Sequence, residues 1–225
     1  MFNGKMKAVT FSYDDGVTAD RKLVKILNKY GLKCTFNLNS EVRPMVHKRE
    51  DGKTTERFDI TENADLYKGH EIAVHTCTHP HLNDYDYDRQ YQEIARDKEN
   101  LSRIFKQDIV GMALPYGLSS CNDITVKAMK DAGMAYSRGT AATHSFDIQK
   151  DLLPFNPTCH HKDPLLMELS EKFVNMKADK PQIFYIWGHS YEFDLDENWD
   201  KFIEFCEFIS GKDDIFYGTN KEVLL

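Results

Sequence analysis

Two aspartates stand side by side in SYDDG (Asp14 and Asp15), and two histidines stand four residues apart in HTCTH (His75 and His79). Imidazoles suit zinc, cobalt, nickel or iron, and one carboxylate completes a three-ligand face with positions left open for water and substrate. Successive residues of a strand point to opposite sides, so the two aspartates are unsuited to one identical task. One of them is free to ligate an ion while the other takes a proton from water, whose pKa such an ion lowers from about 15.7 to about 7. His189, at the end of IFYIWGH, offers the general acid that this chemistry still needs. Tyr116, after Pro115 in LPYG, offers a backbone N–H to a developing oxyanion. Plainer readings stand beside these. Asp and Gly also suit turns, and with nine histidines one pair at this spacing is no surprise. Cys77, between the two histidines, reads as a small buried hydrophobe. His160 and His161, in PTCHH, either shape a pocket or lie on the surface; His47, His70, His81 and His144 receive no role.

The elements that must position these residues alternate between strand and helix. KAVTFSY (7–13), CTFNLN, HEIAVH, DIVGMALP, MAYS, QIFYIWGH and IFYG read as strands. Helical spacing marks Leu23, Ile26, Leu27 and Tyr30 before Gly31, the stretch from Asp84 to Phe105, and the segments CNDITVKAMKDAG, DPLLMELSEKFVNMK and WDKFIEFCEFISG. TENADLYKG predicts a short helix capped by Thr61. Residues 41–60 are polar, with a turn at Gly52, and read as an insertion or hairpin outside the core. This alternation predicts a mostly parallel sheet, open or closed into a barrel, in one domain spanning 1–225. Ligands of such folds gather at the carboxyl edge of the strands. That edge receives Asp14 and Asp15, then His75 and His79, then Pro115-Tyr116-Gly117, then Arg138, then His189.

The bulk numbers narrow the class. At 225 residues, 41% hydrophobic and 29% charged, the chain is long enough for a sizeable globular core. A net charge of −7 argues against a general nucleic-acid binder, which would show a basic stripe. No run approaches the ~20 apolar residues of a membrane helix, and MFNGKMKAV lacks the apolar stretch of a signal peptide. Five widely spaced cysteines without a CxxC pair predict reduced thiols and a cytoplasmic protein.

Four motifs, taken in order, resemble the polysaccharide deacetylase family, also called the NodB-homology domain or carbohydrate esterase family four. TFSYDDG is similar to the family's TFDDG-type motif, HTCTH to its His-(Ser/Thr)-x-x-His motif, ALPYG to its Arg-x-Pro-(Phe/Tyr)-Gly motif, and YIWGH to its final strand and histidine. The resemblance runs from residue 10 to residue 189. It implies a distorted (β/α) barrel with fewer than eight units and a divalent metal ion, zinc first, with cobalt, nickel or manganese as alternatives. By that likeness Asp15, His75 and His79 are the metal ligands, Asp14 the base, Tyr116 N–H part of the oxyanion hole and His189 the acid. Pro115, Tyr116, His160 and Trp187 are the expected substrate contacts. The implied reaction is hydrolysis of N- or O-acetyl groups on a carbohydrate, and the partner is an acetylated sugar or oligosaccharide. The alternatives are an amide or imide hydrolase on the same fold and a catalytically weak sugar-binding relative. The chain departs from the pattern at Ala113, where the family has the arginine that orients the base; Arg138 is the expected replacement. For the partner of His189, Asp147 and Glu192 are both candidates. The lack of a visible signal peptide favours a small or soluble acetylated substrate over an intact wall polymer.

Overall fold

The computed structural model describes residues 2–225. In chain order the strands are β1 (Lys7–Asp14), β2 (Cys34–Leu38), β3 (Met45–Lys48), β4 (Thr54–Arg57), β5 (Glu71–Val74), β6 (Gly111–Ala113), β7 (Tyr136–Arg138), β8 (Cys159–His160), β9 (Gln182–Gly188) and β10 (Ile215–Tyr217). The helices are α1 (Asp20–Lys29), α2 (Tyr87–Phe105), α3 (Asp123–Asp131), α4 (Leu166–Asn175), α5 (Tyr191–Leu195), α6 (Trp199–Ile209) and α7 (Asn220–Leu224). Seven strands lie side by side in the order β7-β6-β5-β2-β1-β9-β8, all parallel. On β1, one edge takes β9 from Lys7 to Tyr13; β2 pairs with Phe11–Asp14 and β10 with Lys7–Val9. The sheet curls into a distorted barrel of fewer than eight units. Its ends are joined by an irregular strap: Phe155 N–H donates to Ser137 (2.7 Å) and Gly139 N–H to Phe155 (2.9 Å), and the chain then enters β8.

Strand β1 shows why the barrel forms. Every residue in it is buried, so its two faces need different partners. Val9, Phe11 and Tyr13 join the large apolar cluster under the helices, with Leu23 and Leu27 of α1 and Phe202 and Phe205 of α6. Ala8, Thr10, Ser12 and Asp14 alternate with them, on the other face of the strand. That interior is polar, and hydrogen bonds join several of its groups. Thr10 donates to Asn220 Oδ1 (2.9 Å), Asn220 to the Tyr185 hydroxyl (2.6 Å), and Asn37 to Ser12 Oγ (2.8 Å). Unsatisfied, each such group would cost about 1–3 kcal/mol.

Helix ends follow local chemistry. Asp86 caps α2 by accepting from Arg89 N–H, and Asn122 with Thr125 forms a capping box on α3. The Thr61 cap is a correction: the short 3₁₀ turn there is Ala64–Tyr67, preceded by Asn63 with no side-chain cap. Asp59 instead takes the Thr61 N–H (2.8 Å), which places Thr61 in the turn before the helix. The β3–β4 hairpin is antiparallel and mostly exposed. No helix among the described residues is long and apolar enough to cross a membrane.

Candidate active site

The carboxyl ends of the parallel strands converge on two aspartates. Asp14 closes β1 inside the barrel mouth, 3% exposed. Strand alternation would send Asp15 the other way, but Asp15 has φ +86° and Gly16 φ +65°. This left-handed pair bends the chain off the strand, and Gly16 adopts the angle without a Cβ penalty. Both carboxylates therefore approach one imidazole: His189 Nε2 lies 3.9 Å from Asp14 Oδ2 and 4.0 Å from Asp15 Oδ2.

The HTCTH turn is held from outside by α2. Asp97, fully buried, accepts the backbone N–H groups of Ser40 (2.8 Å) and His75 (3.1 Å). Glu93 accepts both the N–H and the hydroxyl of Thr78 (2.9 Å each). These anchors sustain left-handed backbone at Thr76 (φ +66°) and His79 (φ +58°), which a β-branched threonine rarely adopts. Strain of this kind persists where surrounding contacts over-determine it, and it gathers at functional sites.

The donor chemistry of the three side chains fits a metal-ligand set. Donor atoms of Asp15, His75 and His79 lie within 4.8 Å of one another. Asp15 Oδ1 is 3.9 Å from His75 Nε2 and 3.7 Å from His79 Nε2. His75 Nδ1 donates to the Ala113 carbonyl (2.9 Å), so its Nε2 presents a lone pair to the site. Burial pushes His75 down to about 4 and lowers His79 as well, keeping both imidazoles in the neutral form that ligates. Two imidazoles and one carboxylate fit a divalent ion with open positions.

Arg138 is fully buried, and its Nη2 bonds Asp14 Oδ2 while Asn37 bonds Asp14 Oδ1 (2.8 Å). Burial alone would raise the Asp14 carboxyl; Arg138, with His75 and His189, outweighs it and holds the group below its usual range. A guanidinium from β7, the strand next to the one where Ala113 stands, thus reaches the aspartate.

His189 meets Glu192, not Asp147. Glu192 Oε2 accepts from the His189 N–H (3.1 Å) and lies 3.3 Å from Nδ1, so Nε2 faces the aspartates. Burial would lower His189, but Glu192, Asp14 and Asp15 raise it. Asp147 is corrected: it pairs with Lys180 (2.7 Å) and Gln182 (2.8 Å), at the opposite end of β9.

His160 and His161 do not lie free on the surface: His160 closes β8, His161 follows it, and both flank Glu192, with His160 Nε2 at 3.1 Å and His161 Nε2 at 3.5 Å. Their donors also fall within 4.8 Å of one another. Lys162 N–H donates to His160 Nδ1 (3.1 Å), so Nε2 of the neutral ring carries the proton. His160 therefore offers Glu192 a proton rather than an ion a lone pair. Gly188 admits the His161 ring, since a Cβ there would lie 2.0 Å from His161 Nδ1.

Tyr116, left-handed at φ +58°, is exposed on the rim with its ring 4.9 Å from that of His79. Among the described residues its N–H has no hydrogen-bond acceptor. Pro115 is buried behind it. Trp187 stacks on the Arg138 guanidinium (4.4 Å) and meets His160 edge-on (4.6 Å). Tyr191 and Arg57 are among the residues that escaped the sequence reading. Tyr191 tilts over His189 with centroids 5.1 Å apart; burial, then Asp15 and Glu192, push its hydroxyl up, so it stays a donor. Arg57, from the hairpin, bonds Asp15 Oδ1 (2.5 Å) and the Asp15 carbonyl (2.9 Å).

The curled parallel sheet, with this site at its carboxyl edge, is a distorted barrel of the (β/α) class. A family model described as polysaccharide deacetylase matches residues 3–137, and the chain belongs to that family as a divergent NodB-homology member, a hydrolase of the deacetylase type. Among solved structures, it resembles a family 4 carbohydrate esterase from Streptomyces lividans (15% identity, 96% of this chain and 93% of that one, TM-score 0.61). It also resembles the chitin deacetylase of Colletotrichum lindemuthianum (20% identity, 98% and 88%, TM-score 0.62). A family 4 pseudoenzyme from Bacillus anthracis shares the fold as well (18% identity, 97% and 66%, TM-score 0.55). No functionally curated protein matches the sequence.

Proposed function

We propose that the chain, acting as one catalytic domain, removes N- or O-acetyl groups from a small or soluble acetylated sugar or oligosaccharide. Asp15, His75 and His79 would hold a divalent ion, zinc first, with cobalt, nickel or manganese as substitutes. Bound there, the ion supplies Lewis acidity to the carbonyl and to water. Asp14, kept ionised by Arg138, accepts the proton of the attacking water. Tyr116 N–H donates to the oxyanion of the tetrahedral intermediate. His189 gives its Nε2 proton to the leaving amine or alkoxide while Nδ1 stays on Glu192. Tyr116 and Trp187, with His160 beside them, shape the substrate side, and Pro115 supports Tyr116 from behind. Five unpaired thiols favour a reducing, cytoplasmic setting.

One observation supports this reading above the others: the Arg138 guanidinium lies on Asp14, beside an intact Asp-His-His set. Ala113 alone would have favoured a sugar-binding relative without turnover, and Arg138 removes that ground. The test is acetate release from a panel of acetylated mono- and oligosaccharides by protein stripped with chelator and reloaded with Zn, Co, Ni or Mn. Release that returns with metal is the expected result; no release with any metal and any acetylated sugar would refute the proposal.

A further inference from the structure

We infer that the β3–β4 hairpin is part of the metal site, with Arg57 and Asn39 forming a strut that ties the Asp15 turn to the His75 turn. The inference rests on the ligand set proposed above.

Arg57 ends β4, and the hairpin is seated on the segment after Asp15. Arg57 forms a bridge with Val17, and Thr18 N–H donates to Glu56 (2.9 Å). From that seat the guanidinium reaches three acceptors. Nη2 bonds Asp15 Oδ1 (2.5 Å); Nη1 bonds the Asp15 carbonyl (2.9 Å) and Asn39 Oδ1 (2.9 Å). Asn39 is 3% exposed, and its Nδ2 donates to the carbonyls of His75 (2.5 Å) and Thr76 (3.0 Å). The path is continuous: Asp15, Arg57, Asn39, then His75 and Thr76. Both turns joined by it contain a left-handed non-glycine residue, Asp15 on one side and Thr76 on the other. Such backbone holds its shape only when neighbours fix it.

The guanidinium uses the same carboxylate oxygen that faces His75 and His79. A carboxylate oxygen has two lone pairs, so one can serve Arg57 and the other an ion. Partners of this kind set ligand orientation, and losing one typically costs 10–100-fold in metal affinity. A guanidinium that merely stood in the ion's place would do the reverse: its removal would tighten binding.

The experiment is calorimetric titration of chelator-stripped protein with Zn²⁺, on wild type, Arg57→Ala, Arg57→Lys, Asn39→Ala and the double alanine variant, with circular dichroism and urea unfolding confirming folded samples. Co²⁺ absorption spectra of the same proteins report ligand geometry. The strut predicts that Arg57→Ala and Asn39→Ala each weaken zinc binding by about 10–100-fold. Arg57→Lys should lose less than Arg57→Ala, because one ammonium keeps the charge and some of the contacts. The double variant should lose less than the product of the single effects, as parts of one unit do. Unchanged or tighter binding in folded Arg57→Ala, or full multiplicativity, would overturn the strut. Absence of zinc binding in wild type would overturn it together with the ligand set. Zinc binding that depends on Arg57, without acetate release from any sugar, would leave the strut standing and overturn the proposed reaction.

Discussion

Asp14 at the barrel mouth and Glu71 at its floor are both buried carboxylates within one parallel sheet, and their neighbours treat them in opposite ways. Glu71 opens β5 and receives only neutral donors: Thr35 hydroxyl (2.7 Å), Tyr136 hydroxyl (2.8 Å) and Lys221 N–H (2.9 Å). Burial raises its carboxyl, and these hydrogen bonds do not cancel the effect. Asp14 receives one amide and a buried guanidinium, and its carboxyl is lowered although it is the more buried of the two. At Glu71 the hydrogen bonds from neutral donors favour the ionised form but do not offset burial, whereas at Asp14 the neighbouring guanidinium does. The floor favours the protonated carboxyl and the mouth the ionised one.

The largest effect should follow from removing a proposed ligand. His75→Ala should weaken zinc binding by more than about 100-fold, beyond what loss of an outer partner costs, and abolish acetate release; calorimetry and an acetate assay would show both. Next comes Arg138→Ala, which leaves Asp14 buried without its cation. Stability should fall by about 3–5 kcal/mol in urea unfolding. Asp14 should then titrate higher, moving the acid limb of kcat/KM upward in pH. An unchanged pH profile would place the orienting cation elsewhere. Glu192→Gln is milder. His189 loses an anion that raises it, so the alkaline limb of kcat should move down by about one pH unit.

The smallest effect belongs to the floor. Glu71 has a folded pKa above its unfolded value of 4.5, so the native state binds the extra proton and stability falls as pH rises past that value. Glu71→Gln should remove this slope from thermal unfolding curves taken across the acid-to-neutral range, with acetate release unchanged. Loss of activity in a folded Glu71→Gln protein would erase the distinction between the two ends.

The parallel sheet was legible because β1 and β9 are short apolar runs and the helices between them have apolar residues at helical spacing. The Asp pair, the two histidines, Arg138 and His189 were legible because each falls at a strand's carboxyl end. Arg57 was not. It sits among polar residues of an exposed hairpin, and its place depends on pairing with Val17, a contact no periodicity announces. Asp147 misled for a related reason: it lies beside Gln182, which opens β9, while His189 follows its end, about 23 Å away at 3.3 Å per residue. The two-residue β8, which sets His160 beside Glu192, is too short to leave a pattern.

In the proposed reaction Asp14 works as a base beside an ion it does not hold. Zinc content and acetate release, measured together on wild type and Asp14→Asn, test it most directly. Both proteins should bind zinc, with release in the variant down by about 10²–10⁴-fold. Equal rates at equal zinc content would contradict it.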